Sequence, residues 1–130
     1  MSLALVSVLF SFILIYVAKI PLSYAMYKLD NQFNNQYPRD QQARLTGFGK
    51  RALGAHLNSF ESFPAFGIAV LFALYFHATE SYLDILCISF VILRILYLIF
   101  YWTNHHILRS TVWLLGFFVI LGIFVLALTP

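Results

Sequence analysis

Long apolar segments alternate with short polar connections along the whole chain. The apolar segments run from about residues 3 to 27, 53 to 76, 82 to 102 and 112 to 128. Each is close to the ~20 residues that a helix needs to cross the hydrocarbon of a bilayer. Strands of a membrane barrel would instead alternate in polarity over ~10 residues. The pattern therefore predicts an all-α integral membrane protein, a four-helix bundle that forms a single domain over residues 1–130.

Composition supports this interpretation and argues against several classes of protein. Hydrophobic residues make up 62% of the 130 residues and charged residues only 10%, whereas soluble proteins average ~45–50% and ~25%. A soluble domain of this size needs more charge to cover its surface. A cytosolic enzyme, a disulfide scaffold and a disordered chain are therefore disfavoured. The single Cys87 lies in an apolar run and is expected to be a buried, inert thiol.

The basic residues are distributed as topology signals. The formal net charge is +3, but the scattered Lys and Arg residues form no patch that nucleic acid would need. Most of them lie in or next to the polar connection 28–50, and Arg109 lies in the third connection. The positive-inside rule places both connections in the cytoplasm and both termini on the other side. The first segment lacks a basic leader, so we expect a retained helix and not a cleaved signal peptide.

Polar groups within the apolar segments converge on the cytoplasmic half of the bilayer. The charged ones are Lys19, Glu61 and Arg94, and each costs ~2.5–3.5 kcal/mol at hydrocarbon depth on insertion scales. Such groups either form a polar ligand pocket or hold helices together; both interpretations stay open. His56 is expected to hydrogen-bond another helix. The adjacent His105 and His106 would point apart, so we expect no metal site there.

Helical spacing groups these polar residues into two stripes. On the second segment, Gly54, Asn58 and Glu61 fall on one stripe, and on the third, Arg94 is followed by two tyrosines at helical spacing. Glu61 and Arg94 lie at similar depth, each roughly 12–15 Å from the inner end of its helix. We therefore expect these two side chains to meet as a buried ion pair.

These stripes form part of a recognisable pattern. The second segment contains Asn58-x-x-Glu61-x-x-Pro-x-Phe, the third contains Arg94-x-x-Tyr97-x-x-x-Tyr101, and Arg-Ser precedes the fourth. With its length and four spans, the chain resembles the MAPEG family, the membrane-associated proteins of eicosanoid and glutathione metabolism. The resemblance implies a homotrimer that binds glutathione between protomers near the cytoplasmic side and acts on lipophilic substrates. One branch of the family binds lipid without catalysis.

The resemblance also implies roles for individual residues. Those expected to bind glutathione, as a co-substrate, are Arg51, Asn58, Glu61, Arg94, Tyr97 and Tyr101. Arg109 is expected to be catalytic, because it would stabilise the glutathione thiolate and so lower the thiol pKa from its usual value of about 8.5. The expected partners are two further copies of the chain, membrane lipids and a lipophilic small molecule.

Gly54 departs from the family pattern. Glutathione-using members have an arginine there, which the resemblance implies would bind a glutathione carboxylate. One charge-assisted hydrogen bond contributes about 1.5–3 kcal/mol, so we expect Gly54→Arg to tighten glutathione binding about tenfold. Two functions remain open: a glutathione-dependent transferase or peroxidase acting on lipophilic electrophiles, and a non-catalytic lipid-binding or scaffold protein of the same fold.

Overall fold

Helices make up most of the structure, a computed structural model that describes residues 2–129. They are α1 (Leu3–Asp30), α2 (Pro38–Ala43), α3 (Gly47–Tyr75), α4 (Glu80–Trp102) and α5 (His106–Leu128). All except the short α2 are long and apolar enough to cross a membrane. Residues 2–129 contain no strand. The predicted all-α bundle with four spanning helices is confirmed.

The connection between α4 and α5 is shorter than the sequence suggests. The apolar pattern places the start of the last helix near residue 112, but α5 begins at His106, which leaves only Thr103–His105 between the two helices. Asn104 adopts φ 62° in this turn, a left-handed conformation that asparagine tolerates better than most residues. A helix that continues beyond the hydrocarbon takes polar residues, so hydropathy alone places its end too early.

The four long helices pack as two pairs, α1 with α3 and α4 with α5. Ala18 of α1 and Ala52 and Ala55 of α3 are fully buried. Small side chains of this kind let helix backbones approach closely. Phe66 of α3 stacks on Phe90 of α4 with ring centroids 4.0 Å apart. This aromatic stack therefore joins one pair of helices to the other.

Two hydrogen bonds tie α1 to the other helices. Nδ1 of His56 donates to the carbonyl of Ile15 at 2.9 Å, which confirms the predicted helix–helix role of this histidine. The backbone N–H of Ala4 donates to the Asp84 carboxylate at 3.0 Å. A carboxylate at this place satisfies one of the free N–H groups at the start of α1 and complements the positive end of its dipole. The thiol of Cys87 is buried, as expected.

Gln41 fixes the connection between α1 and α3. Its side chain is fully buried, and Nε2 lies within 3.0 Å of the Met26 carbonyl and the Asp30 carboxylate. Oε1 accepts a hydrogen bond from the backbone N–H of Asn34 at 3.1 Å. Arg44 forms an ion pair with Asp30. Its hydrogen bonds to the Asp30 carboxylate raise the pKa of Arg44 above its ordinary value. The polar connection between α1 and α3 is therefore folded around one glutamine.

We expect Gln41→Ala to loosen this connection, because the substitution leaves several buried polar groups without partners. The free energy of unfolding should fall by about 1–3 kcal/mol, and limited proteolysis in detergent should cut the connection faster. Gln36→Ala, which removes an exposed glutamine from the same connection, is the matched control. Equal cleavage rates in the two variants would contradict the proposed anchoring.

Candidate functional site

A cavity of about 190 Å³ opens among α3, α4 and α5. One side of it is polar and is lined by Asn58, Glu61, Ser62 and Arg94. The other side is apolar and includes Trp113 and Phe117 of α5. Three of the residues that the sequence singles out as ligand contacts, Asn58, Glu61 and Arg94, thus line one amphipathic cavity.

The predicted ion pair between Glu61 and Arg94 is wrong. The only ion pair among residues 2–129 joins Arg44 and Asp30. Glu61 accepts a hydrogen bond from Nδ2 of Asn58 at 3.0 Å, while the Arg94 guanidinium lies over the Tyr97 ring, 4.2 Å from its centroid. Each charged side chain thus turns to a neighbour three residues away on its own helix. Two side chains at the same depth in the bilayer do not have to point toward each other.

Arg94, Tyr97, Tyr101 and Arg109 form a column in which two neighbouring aromatic rings lie between two guanidinium groups. The Tyr97 and Tyr101 rings meet edge to face with centroids 5.6 Å apart. The guanidinium of Arg109 lies 4.5 Å from the centroid of the Tyr101 ring. Such cation–π contacts contribute about 0.5–2 kcal/mol each, and more when water is excluded. The column holds both guanidinium groups in fixed places on one side of the bundle.

The column continues from the polar side of the cavity, and we call the cavity and the column together the groove. Arg94 belongs to both, since it lines the cavity and stacks on Tyr97. On α5, Arg109 precedes Trp113 by four residues, which places them on one face a turn apart. Trp113 and Phe117 line the cavity, although neither is among the candidate residues that the sequence suggests. Their helical spacing from Arg109 is the signal that marks them.

Two other charged candidates lie outside the groove. Nη2 of Arg51 donates to the carbonyl of Trp102 at 3.4 Å, so this cation meets the last turn of α4, where the helix dipole favours positive charge. Lys19 is exposed on α1 and does not line the cavity. Arg51 thus has a structural contact of its own, in addition to the ligand role that the resemblance implies.

The sequence matches a known family. A model of the MAPEG family matches residues 3–129 of the chain. The chain belongs to the MAPEG family. It is therefore an integral, multi-pass membrane protein of a family associated with eicosanoid and glutathione metabolism. No individual curated protein and no solved structure matches the chain.

Gly54 gives this MAPEG protein room for Tyr101. A Cβ at position 54 would overlap the Tyr101 hydroxyl and lie 2.7 Å from the ring carbon Cζ. The phenol therefore occupies the space that any larger residue at position 54 would need. An arginine at position 54 would have to displace Tyr101 from beneath Arg109, and the tighter glutathione binding expected of Gly54→Arg stays a prediction.

We expect Gly54→Ala to destabilise the protein by about 1–3 kcal/mol, the usual range for an overpacked contact. Equilibrium unfolding in mixed micelles measures this change. Gly67→Ala is the matched control on the same helix: nothing lies within 4 Å of a Cβ at Gly67, so the alanine should stabilise by about 0.5–1 kcal/mol. In a Tyr101→Leu background the cost of Gly54→Ala should disappear. An unchanged cost in that background would show that Tyr101 is not the obstacle.

Proposed function

We propose that this MAPEG protein is a membrane-embedded glutathione-dependent transferase or peroxidase that acts on lipophilic electrophiles. The observation that carries the proposal is that the Glu61 carboxylate has no cationic partner among residues 2–129. Its side chain is exposed on a spanning helix, lines the cavity and forms no ion pair with any residue from 2 to 129. A carboxylate at hydrocarbon depth is costly. A ligand with a free amino group supplies the cation that Glu61 lacks.

The charges of the groove complement those of glutathione. Glutathione carries one ammonium group, two carboxylates and a thiol. The groove offers one carboxylate, Glu61, and two guanidinium groups, Arg94 and Arg109, with hydrogen-bonding groups from Asn58 and Ser62. Charge-assisted hydrogen bonds of this kind are roughly twice as strong as hydrogen bonds between neutral groups. This donor and acceptor set supports a zwitterionic, acidic peptide as the ligand.

Arg109 is the residue we propose to act on the thiol, which glutathione supplies as nucleophile or reductant. It lies in the first turn of α5, where the helix dipole is positive and a cation is locally unfavourable. An anion between the guanidinium and the helix end relieves this repulsion, and the thiolate is such an anion. The Tyr101 ring beneath the guanidinium limits its movement. Both effects favour the deprotonated, reactive form of the thiol.

The apolar side of the cavity suits the second substrate. Trp113 and Phe117 line it and are exposed on the outer surface of the bundle. In a bilayer this surface faces lipid or a neighbouring protomer. A lipophilic electrophile dissolved in the bilayer would reach the thiol laterally past these rings, without crossing into water.

We propose in addition that the protein is a homotrimer with both termini on the non-cytoplasmic side. The open cavity and the exposed Glu61 support an assembly in which a second protomer covers the polar side. The basic connection between α1 and α3 supports the orientation, because Arg39 and Arg44 lie there. The groove then opens near the cytoplasmic surface, where glutathione is available.

A non-catalytic, lipid-binding role is the second candidate, and the contact of Tyr101 with Gly54 favours it. Members that use glutathione are expected to carry a carboxylate-binding arginine at position 54, and here the phenol fills that space. In this alternative the amphipathic cavity holds a lipid, with its polar head beside Arg94 and its chain along Trp113.

Calorimetric titration of glutathione into the detergent-purified protein tests the proposed function. We expect saturable binding, and we expect Glu61→Gln to weaken it about tenfold or more, since the substitution removes one charge-assisted contact. Glu80→Gln, which neutralises an exposed glutamate at the far end of α4, is the control and should leave binding unchanged. No binding by the wild-type protein would defeat the enzyme proposal and leave the lipid-binding alternative.

We expect Arg109→Ala to lower the rate of glutathione conjugation about tenfold to a hundredfold, while glutathione affinity changes by much less. An interaction that strengthens as the thiolate develops affects kcat more than binding. Steady-state kinetics with a lipophilic chloroarene measure the split, and Arg39→Ala, a change in an exposed arginine, is the control. Equal losses of rate and affinity would assign Arg109 to binding alone.

A further inference from the structure

Arg94 has one guanidinium nitrogen that neither the column nor the cavity explains. The side chain is only 6% exposed, and Ser11 of α1 is 5% exposed. Nη2 of Arg94 and Oγ of Ser11 are both buried, and neither has a hydrogen-bond partner. A buried donor or acceptor that stays unpaired costs about 1–3 kcal/mol, more for a charged group. Two such groups on neighbouring helices therefore call for a shared partner.

A small void lies among α1, α3 and α4, beside both of these groups. It has a volume of about 10 Å³, and its polar lining comes from Ser11, Ser59, Ser62 and Arg94. This volume is close to that of the single probe sphere that one buried water occupies. The void is too small for any organic ligand, and it shares Ser62 and Arg94 with the lining of the larger cavity.

The burial of Nη2 of Arg94 indicates that this atom faces the void and not the larger cavity. Atoms that line an open cavity of about 190 Å³ are accessible to solvent, and Nη2 has almost no accessible surface. The void is the other space that Arg94 lines. The nearby hydroxyl of Ser62 donates to the carbonyl of Ser59 at 3.3 Å, which leaves its oxygen free to accept a further hydrogen bond.

We propose that one water molecule occupies the void and bridges Arg94 to Ser11. It accepts a hydrogen bond from Nη2 and donates to the hydroxyl oxygens of Ser11 and Ser62, which gives the ~3 hydrogen bonds typical of a buried water. Ser11 is then a positioning residue for Arg94. Tyr97 covers one face of the guanidinium, and the water holds its buried edge, so the remaining nitrogens point into the cavity.

A high-resolution structure of the wild-type protein in lipid nanodiscs tests the proposal directly. We expect one density feature in the void, within hydrogen-bond distance of both Nη2 of Arg94 and Oγ of Ser11. An empty void, or a feature that contacts only one of the two groups, would overturn the proposal. This test does not depend on glutathione, so its outcome is separate from that of the proposed function.

A double-mutant cycle measures the coupling. Ser11→Ala should favour unfolding, raising the unfolding equilibrium constant about tenfold in the wild-type background. In an Arg94→Met background the same substitution should change this constant hardly at all. Ser7→Ala is the matched control on the same helix: Ser7 is equally buried, but its hydroxyl donates to its own helix at Leu3. Its effect should be the same in both backgrounds. Additivity of Ser11→Ala and Arg94→Met within about twofold would overturn the proposal.

Discussion

Among residues 2–129, Arg94 is the one charged side chain that is buried, and the arrangement of the site follows from the need to stabilise that charge. A lone guanidinium at this depth would cost several kcal/mol. The Tyr97 ring lies against it, and the Glu61 carboxylate lies on the same polar side of the cavity. These two charged side chains form no ion pair with each other, and both line the cavity. The group that is most costly to bury therefore also lines the space that is open to a ligand.

The packing of the helices explains where this space lies. α1 packs closely on α3 and α4 on α5, so the cavity falls at the junction between two well-packed pairs. Hydropathy predicts the four spans, because bilayer thickness fixes their length. It does not predict α2 or the burial of Gln41, because a glutamine among polar residues looks exposed until its partners are known. Tyr37-Pro38, with a proline suited to the first turn of a helix, is the local signal for α2.

The sequence predicts the members of the site better than their contacts. Helical spacing and depth bring Asn58, Glu61 and Arg94 together, and all three line the cavity. The prediction of an ion pair between Glu61 and Arg94 is wrong because depth along a helix axis does not fix the direction of a flexible side chain. Each side chain instead contacts a partner three residues away on its own helix. The role of Gly54 depends on Tyr101 of another helix. No pattern within one segment contains that information.

The turn at Thr103–His105 has a consequence for how the protein is made. With only three residues between α4 and α5, the two helices form one hairpin, a unit that can enter the bilayer as a whole. Arg94 would be the costly residue of this hairpin. Its aromatic partner Tyr97 lies three residues along the same helix, so it is available while the chain is still being inserted. The stacking seen in the finished bundle thus doubles as protection for the nascent hairpin, before α1 and α3 have taken their places.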